Sequence, residues 1–171
     1  MWGIAIWFVT FTNREQRVLL HQATEEKAKK YGEDNLYQPV QEWLAPSDSF
    51  EGANRRAIRR VCGEEFFKEL VEQYPCCELS CIRKEKFSLP SGEPAVRFHY
   101  LAIITAEQLA LIPTLKASRI RYVSKEDLSK LKRLGYPSGK GDIVLYPEHH
   151  EILCSLLLTY PKKLRECLLA F

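Results

Sequence analysis

Pro46-Ser47-Asp48-Ser49-Phe50-Glu51-Gly52-Ala53-Asn54-Arg55-Arg56-Ala57-Ile58-Arg59-Arg60-Val61-Cys62-Gly63 is the stretch on which the reading of this chain turns. Phe50, Ala53, Ala57, Ile58 and Val61 recur at helical spacing, Asp48 or Ser49 supplies an N-cap, and Gly63 supplies a stop. Arg55 and Arg59, and Arg56 and Arg60, are each offset by four residues. Like charges so placed disfavour an isolated helix by roughly 0.2–0.5 kcal/mol per pair, so something anionic has to offset them. Asp48, Glu51, Glu64 and Glu65 can do so from within the chain, and phosphate or RNA can do so from outside. Trp43 precedes this stretch, placed either to stack on a base or to pack at a strand end.

At 171 residues and 46% hydrophobic, the chain can bury one real core, and its composition marks no second domain. A charged fraction of 27% and a net charge of +3 are too ordinary to announce a nucleic-acid binder. Residues 2 to 10 are apolar but short, without a basic leader or a small-residue cleavage site, so they read as a buried strand rather than a signal peptide. With no segment long enough to span a bilayer, the expected location is cytoplasmic. The six cysteines form no C-x-x-C pair and read as reduced thiols, with Cys76, Cys77 and Cys81 the group for a redox test.

Working outward, residues 3–12 and 17–22 read as a hairpin, and the highly charged run 23–34 as an exposed, solvated loop. Residues 36–44 carry a strand and loop into the signature helix, and 64–73 form a second helix. Residues 77–89 and 95–105 read as another hairpin, 106–111 as a short helix, 119–123 as a strand, 128–134 as a helix opened by Ser124-Lys125-Glu126-Asp127, and 147–158 as a late helix. Leu164, Cys167, Leu168 and Phe171 make a terminal apolar stripe; packing on the domain is expected, with a homodimer as the alternative. His21, His99, His149 and His150 stand in no nucleophile or metal pattern.

With Arg56 on the motif arginine and Gly63 on its last glycine, the stretch resembles the Nudix box, G-x5-E-x7-R-E-U-x-E-E-x-G-U with U apolar. Ile58 fits an apolar position and Asp48 stands for the first glutamate. Glu42 replaces the first glycine, Ala57 the glutamate after the arginine, Arg60 and Val61 the paired glutamates, and Glu64 the final apolar residue. A second register, with Arg60 on the motif arginine, recovers Glu64 and Glu65 as the pair but puts Val61, Phe67 and Gly52 on motif carboxylate or glycine positions. Arg121-Tyr122-Val123-Ser124 is similar to the aromatic-Val-Ser run before a helix in that family.

The resemblance covers most of residues 2–159. It implies an α/β (α+β) class, an α/β/α sandwich with a mixed central sheet, as a single domain: a core over 1–159 and a helical extension over 160–171. It also implies pyrophosphohydrolase chemistry with Mg2+ or Mn2+ held by helix glutamates. Positions 57, 60 and 61 share one face of a helix, and here that face reads Ala, Arg, Val, which supplies no oxygen ligand. The expected function is therefore binding of a phosphate-bearing nucleotide-type ligand or RNA without efficient hydrolysis. Arg55, Arg59, Arg60 and Trp43 are the ligand-binding residues in this reading, and no cofactor or metal is required. The alternative is a divergent hydrolase with Asp48, Glu51, Glu64 and Glu65 in catalysis, and Mg or Mn on Asp48, Glu64 and Glu65. A protein-interaction scaffold is the third reading.

Overall fold

A computed structural model describes residues 1–12, 15–73, 79–89 and 91–158. Strand β1 (Trp2–Thr12) is apolar without alternation because both of its faces are covered. Ile4, Ile6 and Phe8 point to one side, where they meet Ala53, Ala57 and Ile58 of α2 (Phe50–Cys62) and Phe66 and Leu70 of α3 (Glu64–Gln73). Trp7 and Val9 point to the other side, where Ile152, Leu153 and Leu156 of the late helix Pro147–Leu158 cover them. Phe66 is fully buried with its ring edge-on to Phe8, 5.5 Å between centroids. Burial of one such side chain contributes about 2–3 kcal/mol.

The sheet is mixed. One edge of β1 pairs in parallel with β6 (Pro94–Ile103), which in turn pairs antiparallel with β5 (Ser80–Ser88). The other edge of β1 is shared: Phe8–Thr12 pair with β2 (Glu15–Gln22), and Gly3–Ile6 pair with β4 (Val40–Trp43). β3 (Tyr37–Gln38) pairs with the end of β2, at His21 and Gln22. The segment from Tyr37 to Trp43, interrupted at Pro39, thus fills the fork where β1 and β2 part. β7 (Ile120–Val123) closes the far edge of β2.

Local signals account for most boundaries. Ser49 caps α2, its hydroxyl accepting from the Gly52 N–H at 3.0 Å, and Thr105 and Gln108 form a reciprocal capping box on α4 (Ala106–Ala110). Two expectations change. Residues 23–34 do not form a loop throughout: Glu25–Tyr31 is a helix, α1, capped by Thr24 and ended by Gly32 in the left-handed region at φ 66°. The helix expected over 128–134 is instead a 3-10 turn, Lys125–Lys130, followed by strand β8 (Leu131–Arg133), because Leu131–Arg133 pair in parallel with β9 (Ile143–Leu145).

A four-residue helix, α5 (Thr114–Ala117), precedes β7, and Pro147–Leu158 is α6. Cys62 is buried, which pushes its thiol up to about 12 and leaves it inert. Cys76, Cys77 and the terminal stripe 164–171 lie outside the described residues. Among the described residues no helix is long and apolar enough to cross a membrane.

Candidate functional site

Each arginine of α2 leaves the helix toward its own acceptor. Arg55 meets Glu51 one turn back at 2.5 Å. Arg56 grips both oxygens of Asp48, at 3.1 and 2.5 Å, while Asp48 also accepts from the Ala45 N–H at 2.7 Å. The Arg56 guanidinium is the main reason the Asp48 carboxyl lies below its ordinary range. Arg59 meets Glu64 at 2.9 Å with its guanidinium over the Phe67 ring, and Glu65 meets Lys68 at 3.0 Å. The four carboxylates of the helix and its flanks are held by four different cations and do not converge. Arg55 and Arg59 stand with them on the outer surface.

Arg60 points elsewhere. Its Nη2 donates to the main-chain carbonyl of Gln41 at 2.7 Å and to Glu42 at 3.1 Å, at the fork in the sheet. Lys27, turned inward from α1, reaches Gln38 Oε1 at 3.5 Å and has no carboxylate within ion-pair distance among the described residues. Burial, and then the positive charges of Arg97 and Arg60, pull the Lys27 ammonium below its ordinary range, with Glu42 acting in the opposite direction. Arg97, on β6, is 8% exposed; it donates to His149 Nε2 at 3.1 Å and lies 3.6 Å from Glu148. The charges of Arg60 and Arg97 thus both act on Lys27, and the three cationic side chains form a cluster beside β3 and β4.

Neutral histidines line the same region. Burial, followed by the charge of Arg60, lowers His21 to about 4. His149 is fully buried; burial and then Arg97 push it well below its usual value. An arginine can only donate, so His149 Nε2 accepts and the ring proton sits on Nδ1. His99 likewise accepts the Trp7 indole N–H on Nδ1, at 3.1 Å, and faces Glu85 with Nε2 at 3.3 Å.

By sequence, no protein-family model matches the chain and no curated protein matches it. Solved structures do match by shape. The NUDIX domain of Shewanella oneidensis NrtR, in a complex with ADP ribose, superposes with a TM-score of 0.54 at 13% identity, covering 98% of this chain and 88% of that one. A mutT/nudix family protein from Listeria innocua gives 0.54 at 16%, covering 98% and 96%. The chain has the Nudix fold. The longer NrtR chain of Shewanella oneidensis gives 0.57 at 13% identity over 90% of this chain, which spans about 60% of the NrtR length.

A Nudix fold raises the question of divalent metal, and the box residues here do not fit it. Ala57 is fully buried and Val61 is 8% exposed, both packed into the core beneath α2, so of positions 57, 60 and 61 only Arg60 stands outside the core. The Gln41 carbonyl and Glu42 carboxylate, oxygens of the kind a hard cation takes, are engaged by Arg60 instead. Among the described residues no group of three or more His, Cys, Asp or Glu side chains is placed to hold an ion.

Trp43 has its ring against Arg97, 5.1 Å from the guanidinium carbon, and tilted toward Phe87, 6.1 Å between centroids; Arg97 lies 4.9 Å from the Phe87 ring. The indole thus clamps a cation of the cluster. Gly3 makes this possible, since a Cβ there would stand 2.7 Å from Trp43 Cε3. Lys27, Arg97, Gln38 and Gln41 were not candidates from sequence. Thr24 and Gly32, a cap and a stop seven residues of helix apart, were the legible sign that residues 25–31 are not a loop.

Proposed function

We propose that this Nudix-fold chain binds a phosphate-bearing ligand of nucleotide type at the Lys27–Arg60–Arg97 cluster and does not hydrolyse it efficiently. The observation that carries this is the unpaired Lys27 ammonium. Glu42 pairs with Arg60 and Glu148 with Arg97, which leaves Lys27 as a half-buried cation with no carboxylate within ion-pair distance among the described residues. A phosphate supplies a counter-charge, and fixed guanidinium donors beside it replace the neutralisation that a metal would provide. Arg55 and Arg59 have their own partners and take no part in this reading.

ADP ribose, present in the complex of the NrtR NUDIX domain, is the first probe. Calorimetric titration in EDTA is expected to detect binding that weakens as salt approaches about 1 M, where the screening length is only about 3 Å. Lys27→Ala and Arg60→Glu are each expected to weaken it about tenfold or more. Metal-free binding indifferent to salt and to both substitutions overturns the proposal. Mn2+-dependent turnover abolished by Glu65→Gln would replace it with the hydrolase reading, in which Asp48, Glu51 and Glu64 also leave their present partners.

A further inference from the structure

Hydrogen-bond polarity around Gln38 leaves one acceptor over. Lys27 Nζ can only donate, so the Gln38 atom it faces is the amide oxygen, and the arrangement is complete when His21 keeps its proton on Nδ1, 3.0 Å from the Gln22 carbonyl, and presents the Nε2 lone pair. The Gln38 atom 3.3 Å from that lone pair is therefore the amide nitrogen. Gln38 Oε1 faces the other way and accepts from Lys27 Nζ at 3.5 Å and from Gln41 Nε2 at 2.5 Å. The chain cannot run in reverse, because an ammonium has no lone pair to offer. It ends on Gln41 Oε1, which is closed to solvent and has no partner among the described residues. A buried acceptor left in that state costs about 1–3 kcal/mol.

We infer that Gln41 is a specificity-determining residue beside the cationic cluster, its Oε1 taking a hydroxyl donor from a ligand whose phosphate pairs with Lys27. The ligand class is then a phosphate ester of a sugar or other polyol, rather than bare phosphate or pyrophosphate. The inference rests on the phosphate reading above. Lys27 and Gln41 meet on the same oxygen of Gln38, so a ligand touching both needs its hydroxyl close to its phosphate. The Lys27 bond, at the long limit of hydrogen bonding, is the weak member of the chain. A site built around an acceptor rejects ligands without a donor, since binding them leaves that acceptor unpaired.

The test compares ADP ribose with inorganic pyrophosphate on the full chain in EDTA at pH 8, for the unaltered protein and for Gln41→Met, which keeps length and removes the acceptor. The substitution is expected to weaken ADP ribose roughly three- to tenfold and to change pyrophosphate less than twofold. In the unaltered protein, the Gln41 side-chain amide signals are expected to move in NMR spectra with ADP ribose and to stay with pyrophosphate, a readout independent of how the variant folds. Equal losses for both probes, or amide signals that ignore ADP ribose, overturn the Gln41 assignment and leave the phosphate site standing. Failure of the unaltered protein to bind either probe overturns both.

Discussion

Arg60 and Glu42 meet at the fork of the sheet, with a guanidinium nitrogen 3.1 Å from a carboxylate oxygen, and the same nitrogen donates to the Gln41 carbonyl at 2.7 Å. A permanently charged side chain therefore holds two oxygens that could otherwise ligate a cation. Arg60→Glu exchanges that charge for a second carboxylate facing Glu42. The variant is expected to gain Mn2+ binding, read as loss of the free-ion EPR signal, as it loses metal-free affinity for ADP ribose. A Mn2+ spectrum identical with and without the variant protein would count against this account of the fork.

Restoring the box glutamates beneath the helix should fail for a different reason. Ala57 is fully buried and Val61 nearly so, each packed against core side chains. Ala57→Glu or Val61→Glu would bury an unpaired charge, at a cost of about 3–5 kcal/mol. Urea unfolding is expected to shift to a markedly lower midpoint for either variant. An unchanged midpoint would mean that α2 can rotate these positions out of the core.

Stability should fall on mild acidification. His21, His99 and His149 all have folded values below the ordinary 6.5, with burial the largest cause, so the unfolded chain binds more protons below about that pH. Stability is present above about pH 6.5 and is lost as pH drops toward the depressed folded values, which for His21 means down to about 4. His21 alone is worth on the order of 3 kcal/mol over that window. The melting temperature should decline between pH 6.5 and 4.5, above the range where most carboxylates titrate, and His149→Gln should flatten the slope. A melting temperature constant across that interval contradicts the buried, neutral assignment.

Ser49 closes the first turn of α2 through the Gly52 N–H. Ser49→Ala should cost about 1 kcal/mol, or about 2–4 °C in melting temperature, and Ser49→Asp should recover most of it. No loss in the alanine variant would assign the cap to another group.

The parts of the fold that were legible in sequence are those where one residue pattern has one physical solution. The short apolar run of Trp2 to Val9, rich in β-branched and aromatic residues, reads as a strand covered on both faces, and Ser49 with the spacing of Ala53, Ala57 and Ile58 reads as a capped helix. Residues 25–31 were misread because only Ala28 among them is buried, so α1 carries almost no amphipathic signal. Lys27 is chemically identical to its neighbours Lys29 and Lys30, and only tertiary placement turns it toward Gln38. Arg97 sits in ordinary strand alternation and becomes a site residue through Glu148 and His149, some fifty residues on. Residues 131–133 left the helix expected for them because pairing with Ile143–Leu145 outweighs local propensity.

The contact between Gly3 and Trp43 links the first strand to the Arg97 guanidinium. A methyl group at position 3 has nowhere to go but into the indole, and the indole in turn is one of two walls against the Arg97 guanidinium. Gly3→Ala would therefore loosen Arg97 without touching any ligand, so a hydrogen atom on the first strand sets how rigidly a distant positive charge is aimed.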